Sequence, residues 1–268
     1  LGDFTISRQV GVDANIWDLT RPRELPAAQP VIKKILRTLE SIKIRKIYAK
    51  DSINLANFSL DAPMMYFELT QKNKPKLKVY FGLVNPIDSS TYLMTSDKDI
   101  IYHIDSLNTS LEKLGLSDFV DSHIFSISKE QISSLKIFRG VKLSGNSQLS
   151  IAQSPKGFKN RSGEILQPDK VNSYFKSLLS LKSVYILDKI TKKLQTKLDS
   201  ILSKPFYTMV IKTKTGKEIT YTISAVINSL PDLKIEKKQN FIIKASDRKY
   251  PSVLDKSHFN LFGKKKSS

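Results

Sequence analysis

The sequence contains no cysteine, and this absence excludes several kinds of site at once. The chain cannot form disulfides, use a catalytic thiol, or bind zinc or an iron–sulfur cluster through thiolates. Histidine is also scarce, and no two of the residues His103, His123 and His258 stand at a spacing typical of metal ligands. We therefore expect no metal and no other cofactor.

Long apolar runs are absent as well. No run approaches the roughly 20 residues that a membrane-spanning helix requires. With 40% hydrophobic and 26% charged residues, the 268-residue chain has the composition of an ordinary globular protein. Its length is sufficient for two domains that each bury a core without metal or disulfide support.

Recognisable catalytic motifs are also missing. The sequence has no Gly-x-Ser-x-Gly motif, no Gly-x-Gly-x-x-Gly motif and no Walker-type loop that would hold phosphates. Asp97 and Asp99 are close enough to form a carboxylate pair, but a predicted turn explains Asp97 because aspartate hydrogen-bonds its own backbone in turns. We therefore predict that the chain is not an enzyme. A hydrolase built from distant Ser, Asp and His residues is the catalytic alternative.

Two segments have matching helical patterns. Residues 30–44 and 168–183 each carry apolar residues at the spacing of one helical face, and each begins at the proline of a Gln-Pro pair. Proline suits the first turn of a helix, where its missing N–H has no partner to lose. We predict two equivalent amphipathic helices. Their apolar positions are Ile32, Ile35, Leu36, Leu39 and Ile42 in the first segment and Val171, Tyr174, Phe175, Leu178 and Leu181 in the second.

Strand patterns recur in the same order after each helix. Residues 64–82 and 206–224 each predict a β-hairpin, because apolar residues alternate on both sides of a polar turn. Residues 91–105 and 240–255 each predict two strands joined by a Ser-Asp turn. The helix and the strand pairs therefore occur twice.

Each helix is also preceded by an opening pair of strands. The pair is formed by residues 4–8 with 17–19 in the first copy and by residues 149–153 with Phe158 in the second. Residues 132–140 predict a further strand before the second pair, and its counterpart would lie before Leu1.

These matches predict an α+β fold with two tandem copies of one module, each an antiparallel β-sheet packed by an amphipathic helix. The predicted boundaries are 1–109 for the first repeat, 110–128 for a connector, 129–260 for the second repeat and 261–268 for a basic disordered tail.

The net charge of +19 is concentrated in the second half of the chain. Residues 1–125 contain 16 Lys and Arg against 15 Asp and Glu, whereas residues 126–268 contain 28 against 10. Such a field attracts nucleic acid, anionic lipid or an acidic protein, although a lysine-rich solvated surface explains the same composition. The candidate binding surface consists of Lys212, Lys214, Lys217, Tyr221, Lys237, Lys238, Lys244, Arg248 and Lys249.

The order of these segments resembles that of a known family. Residues 91–105 (TYLMTSDKDIIYHID), residues 118–140 (DFVDSHIFSISKEQISSLKIFRG) and the later Pro-started helix are similar to the bacterial family called domain of unknown function 4340. The resemblance covers nearly the whole chain. It implies a duplicated protein held outside the cytoplasm by one N-terminal membrane helix that this sequence does not contain. It also implies a gene beside components of gliding-motility or auxiliary-type ABC transporters, and the family has no established catalytic residues to assign to this sequence.

We therefore expect a non-catalytic accessory protein that binds protein components of a bacterial envelope or ABC-type transport assembly. An anionic membrane surface would satisfy the same charge pattern. The alternative is a nucleic-acid-binding protein that uses the basic second repeat.

Overall fold

The structure is a computed structural model that describes residues 3–8, 16–63, 65–71, 73–105, 114–141, 147–187, 190–228 and 239–263. The chain divides into two compact units, Leu1–Asp121 and Ser122–Ser268. The division between them falls inside the predicted connector, 110–128.

In its described residues, the first unit contains one α-helix and two antiparallel sheets. Its elements are β1 (Thr5–Arg8), β2 (Trp17–Arg21), β3 (Leu25–Pro26), α1 (Gln29–Glu40), β4 (Ile44–Ala49), β5 (Met65–Leu69), β6 (Leu77–Phe81), β7 (Thr91–Thr95) and β8 (Ile100–Ile104). Strands β1, β2 and β3 form a three-stranded sheet, and the others form a five-stranded sheet in the order β4-β8-β7-β6-β5.

The part of the second unit that the structure describes contains two α-helices and a single antiparallel sheet. Its elements are β9 (Ile132–Arg139), β10 (Leu149–Ser154), β11 (Gly157–Lys159), α2 (Pro168–Leu179), β12 (Tyr185–Ile186), α3 (Lys192–Ser203), β13 (Tyr207–Thr213), β14 (Glu218–Ile223), β15 (Asn240–Ala245) and β16 (Ser252–Asp255). The eight strands have the order β11-β10-β9-β13-β14-β15-β16-β12. Helices combined with antiparallel sheets confirm the predicted α+β class.

The first two helices begin where the sequence predicts but end earlier. Helix α1 stops at Glu40, before the end of the predicted segment 30–44. The chain has to leave the helix there because the carbonyl of Lys43 accepts a hydrogen bond from the N–H of Asp105 at 2.9 Å and Ile44 already pairs in β4. The requirements of the sheet therefore set the end of the helix.

One core of the second unit lies between α2 and one face of its sheet. Val171, Phe175 and Leu178 are the buried residues of α2. They belong to a single cluster with alternate residues of the strands, among them Met209 and Phe241. Burial of each large apolar side chain contributes about 1.5–3 kcal/mol, so the helix is held by its apolar face.

Helix α3 was not predicted from the sequence, and it covers the other face of the same sheet near β15 and β16. Leu194 and Leu198 pack with Ile242 and Val253 in a separate cluster. Ile242 points away from α2 because successive residues of a strand face opposite sides. Strand β15 is consequently buried on both faces.

The start of α3 offers a first prediction. The hydroxyl of Thr191 accepts a hydrogen bond from the N–H of Leu194 at 3.2 Å and so satisfies one backbone donor of the first turn. We expect Thr191→Ala to lower the free energy of unfolding by about 1 kcal/mol. Thr191→Ser keeps the acceptor and is the control in urea denaturation. Equal stability of the two variants would contradict this role.

Five strands follow the same order in both units. The order β4-β8-β7-β6-β5 in the first unit corresponds to β12-β16-β15-β14-β13 in the second, and each series is one strand before a hairpin followed by two further strands. In both units the helix that precedes the first strand of the series begins at a Gln-Pro pair.

The prediction that residues 261–268 form a disordered tail is wrong for its first two residues. Leu261 and Phe262 end a 3₁₀ helix, Lys256–Phe262, and the Phe262 side chain is buried with its ring centroid 5.8 Å from that of Phe241. The hydroxyl of Tyr174 also donates a hydrogen bond to the carbonyl of Leu261 at 3.2 Å. Apolar contact with the core therefore orders this part of the chain, and residues 264–268 lie outside the described residues.

Candidate basic surface of the second unit

Two neighbouring turns form the centre of the candidate surface. In the β13–β14 turn, the N–H of Thr213 donates to the carbonyl of Lys217 at 2.8 Å, and Gly216 adopts a φ of 88° that favours glycine. The β15–β16 turn lies beside it because the N–H of Thr220 donates to the Ser246 hydroxyl at 3.0 Å. Lys217 and Asp247 join the two turns, with 3.5 Å between Nζ and Oδ2.

Four predicted cations lie on these two turns. Lys214 and Lys217 belong to the first turn, and Arg248 and Lys249 belong to the second. Backbone hydrogen bonds fix both turns. The N–H of Lys214 donates to the carbonyl of Gln131 at 2.8 Å, and the N–H of Arg248 donates to the carbonyl of Ala245 at 3.2 Å. The structure therefore brings Lys214, Lys217, Arg248 and Lys249 to one end of the sheet.

Two further predicted cations lie on the sheet face opposite α2. Lys212 follows Ile211, and Lys244 stands between Ile243 and Ala245. The apolar residues Ile211, Ile243 and Ala245 are part of the core beneath α2. Alternation along a strand turns both lysines to the other face. Lys212 is exposed and Lys244 is partly exposed.

The prediction that Tyr221 belongs to this surface is wrong. Only 1% of Tyr221 is exposed, and its ring centroid lies 4.8 Å from that of Phe125. It alternates in β14 with the buried Ile219 and Ile223, so it faces α2. Burial raises the pKa of its phenol. The predicted Lys237 and Lys238 lie outside the described residues.

Sequence reasoning missed Lys136, an exposed residue of β9. It pairs with Val210 of β13, which places it diagonally from Lys212 on the face opposite α2. The signal in the sequence is the alternation of Leu135, Lys136 and Ile137, which places the Lys136 side chain on the face opposite that of the two apolar residues.

Carboxylates partly neutralise this surface. Lys217 is paired with Asp247, and Lys212 stands directly opposite Glu218 in the sheet, where opposite charges attract. The pKa of the Glu130 carboxyl is lowered by its own backbone N–H and by the Ser128 hydroxyl, with smaller attractions from lysines that include Lys214. The positive field of the surface is therefore weaker than the count of cations implies.

The unit that carries the surface is nevertheless strongly basic. Its sequence holds 28 Lys and Arg against 10 Asp and Glu, because residues 122–125 contain none of these four residue types. This excess includes three exposed lysines of α3, Lys192, Lys193 and Lys197.

Other features give little support for a site with defined chemistry. Within the described ranges, no group of three or more His, Asp or Glu side chains is arranged to hold a metal ion. A depression lined by Gln239, Asp255 and Lys256 lies in the second unit, and another lies beside Lys33 and Arg37 of α1. Among the helices of the described residues, none combines the length and the apolar character needed to cross a membrane.

Comparison with known proteins identifies a family but no characterised relative. Residues 17–201 match the family described as domain of unknown function (DUF4340). This span begins at β2 and ends within α3, so the turns that carry Lys214 and Arg248 lie beyond it. No curated protein and no solved structure matches the chain. Because the match covers more than half of its length, the chain belongs to the family of domain of unknown function 4340.

Proposed function

We propose that this protein is a non-catalytic accessory component of a bacterial envelope or ABC-type transport assembly and that it binds an acidic protein partner through its second unit. The family resemblance supports a position outside the cytoplasm, tethered by an N-terminal membrane helix. Membership of a family without known catalytic residues fits a binding role.

The observation that carries the proposal is the placement of Lys214, Arg248 and Lys249 on two hydrogen-bonded turns at one end of the eight-stranded sheet. A cation on a fixed turn loses little conformational freedom on binding, whereas one on a free loop must first be ordered. Lysine predominates over arginine here, which favours charge attraction over bidentate recognition. The surface is therefore suited to an acidic patch on a folded partner.

We also infer that the two units are tandem copies of one module. Support comes from their shared strand order and from the Gln-Pro start of α1 and α2. The second unit carries a strong positive charge, whereas the first is nearly neutral. Divergence of this kind supports a division of labour in which the second unit makes the electrostatic contact.

Charge reversal on the turns tests the binding role. We expect the triple variant Lys214→Glu, Arg248→Glu, Lys249→Glu to weaken association with the transport assembly about tenfold, because each exposed ion pair contributes about 0.2–1 kcal/mol. The measurement is quantitative co-purification of ABC transporter components with the tagged full-length gene product from cell membranes. Raising the salt concentration should reduce recovery of the wild-type complex and have less effect on the variant.

The matched control carries the same change of charge on α3, as Lys192→Glu, Lys193→Glu, Lys197→Glu. If both variants lose recovery equally, the turns have no special role and only the overall charge matters. Recovery of the wild-type protein with the cytosol and without transporter components would overturn the proposal. Salt-sensitive binding of a single-stranded oligonucleotide, lost in the turn variant, would instead support nucleic-acid binding.

A further inference from the structure

Strand β9 joins two parts of the second unit into one sheet. It pairs antiparallel with β10 on one side, where Ile137 is opposite Leu149, and with β13 on the other, where Ile137 is opposite Met209. Without β9, the pair β10-β11 would be separated from the remaining five strands.

The first unit has counterparts of the two strands that pair with β9, but its described residues contain no counterpart of β9 itself. Strand β1 corresponds to β10 as the first strand of the opening pair, and β5 corresponds to β13 as the first strand of the hairpin. Both β1 and β5 lie at the edge of their sheets, and no strand in the described part of the first unit pairs with their outer edges. The described strands of the first unit accordingly form a three-stranded and a five-stranded sheet, whereas those of the second unit form one sheet.

The exposed side chains of β5 are consistent with the absence, among the described residues, of a neighbouring strand at its outer edge. Tyr66 and Leu69 of β5 are each 42% exposed, whereas four consecutive residues of β13, from Thr208 to Ile211, are buried. Unpaired edges with apolar side chains favour the addition of another strand. We use the term open strand position for the place that a strand paired with both β1 and β5 would occupy, as β9 does between β10 and β13.

We propose that the open strand position is filled by an extended segment of the same polypeptide that lies directly upstream of Leu1. The second unit supplies the argument, because β9 immediately precedes β10 and only residues 140–148 separate them. The added strand runs antiparallel to both β1 and β5 and carries apolar residues at alternate positions, as Leu135 and Ile137 do in β9. The inference rests on the shared strand order and is independent of the basic surface.

Hydrogen–deuterium exchange tests this proposal. Two proteins are compared: the present chain, and the chain extended by about 15 native upstream residues, enough for one strand and its connection. We expect amides of β1 and β5 to exchange at least tenfold more slowly in the extended protein. Amides of β13, already paired on both sides, provide the internal control and should not change. Unchanged exchange in β1 and β5 would overturn the proposal.

The absence of cysteine permits a second measurement. We expect the maleimide reaction of Leu69→Cys to slow about fivefold or more on extension, because the added strand covers the neighbouring edge. Leu83→Cys, at a residue that is 56% exposed and outside β5, is the matched control and should react at one rate in both proteins. A Leu69→Cys disulfide dimer in the extended protein would instead assign the edge to a second copy and overturn the proposal.

Discussion

Replacing Phe175 by alanine is expected to lower the free energy of unfolding by about 4 kcal/mol. The Phe175 side chain is fully buried at the centre of the cluster between α2 and the eight-stranded sheet. Its ring centroid lies 5.3 Å from that of Phe158 in β11, so the loss removes contacts that extend to the edge strand of this sheet. The cavity left by the ring cannot be filled by neighbours that are themselves packed.

The measurement is chemical denaturation followed by circular dichroism, with separate fits if the two units unfold in separate transitions. Lys176→Ala is the matched control, because Lys176 is the exposed neighbour of Phe175 on the same helix. We expect that control to change stability by less than about 0.5 kcal/mol. A loss below about 1 kcal/mol for Phe175→Ala would show that α2 does not pack on the sheet as described.

Gly82→Ala is expected to cost about 3 kcal/mol in the first unit. A Cβ at Gly82 would lie 2.1 Å from the carbonyl oxygen of Phe58. This oxygen is held in place, because it accepts a hydrogen bond from the N–H of Leu83 at 3.2 Å, while the N–H of Gly82 donates to Tyr92 at 2.9 Å. The clash is between backbone groups, so relief requires β6 to move away from the segment that contains Phe58.

Gly115→Ala provides the control in the same unit. A Cβ at Gly115 would lie 3.9 Å from Oδ2 of Asp118, its nearest atom outside the adjacent residues. This is an ordinary contact distance. We expect thermal denaturation to show a clear fall in midpoint for Gly82→Ala and almost none for Gly115→Ala. Equal midpoints for the two variants would mean that the close approach of Phe58 to Gly82 does not exist in solution.

Alternation of apolar residues was sufficient to predict most strands. The hairpins at 64–82 and 206–224 form as β5-β6 and β13-β14, since side chains of a strand with one buried face must alternate. Helix starts were equally clear at Pro30 and Pro168. Helix ends were not, because they depend on pairings such as Ile44 with Ile104 between residues far apart in the sequence.

The candidate surface was predicted less well than the strands. Composition identified the basic unit, but it grouped Tyr221 with the lysines although Tyr221 alternates with Ile219 and Ile223. The same alternation indicates the outward direction of Lys136. Local periodicity is therefore sufficient to predict which face of the sheet Tyr221 and Lys136 occupy. The contact between the two turns at Lys217 and Asp247 depends instead on strand register.

The sequence by itself determined the α+β class, the succession of most strands along the chain and the charge difference between the two halves, since each follows from local periodicity or from counting residues. Only the tertiary structure decided that β9 joins β10 to β13, that α3 covers the second face of β15, and that β1 and β5 remain at sheet edges. The physical reason is that strand neighbours are chosen by contacts between distant residues, and no local pattern records which strands will meet.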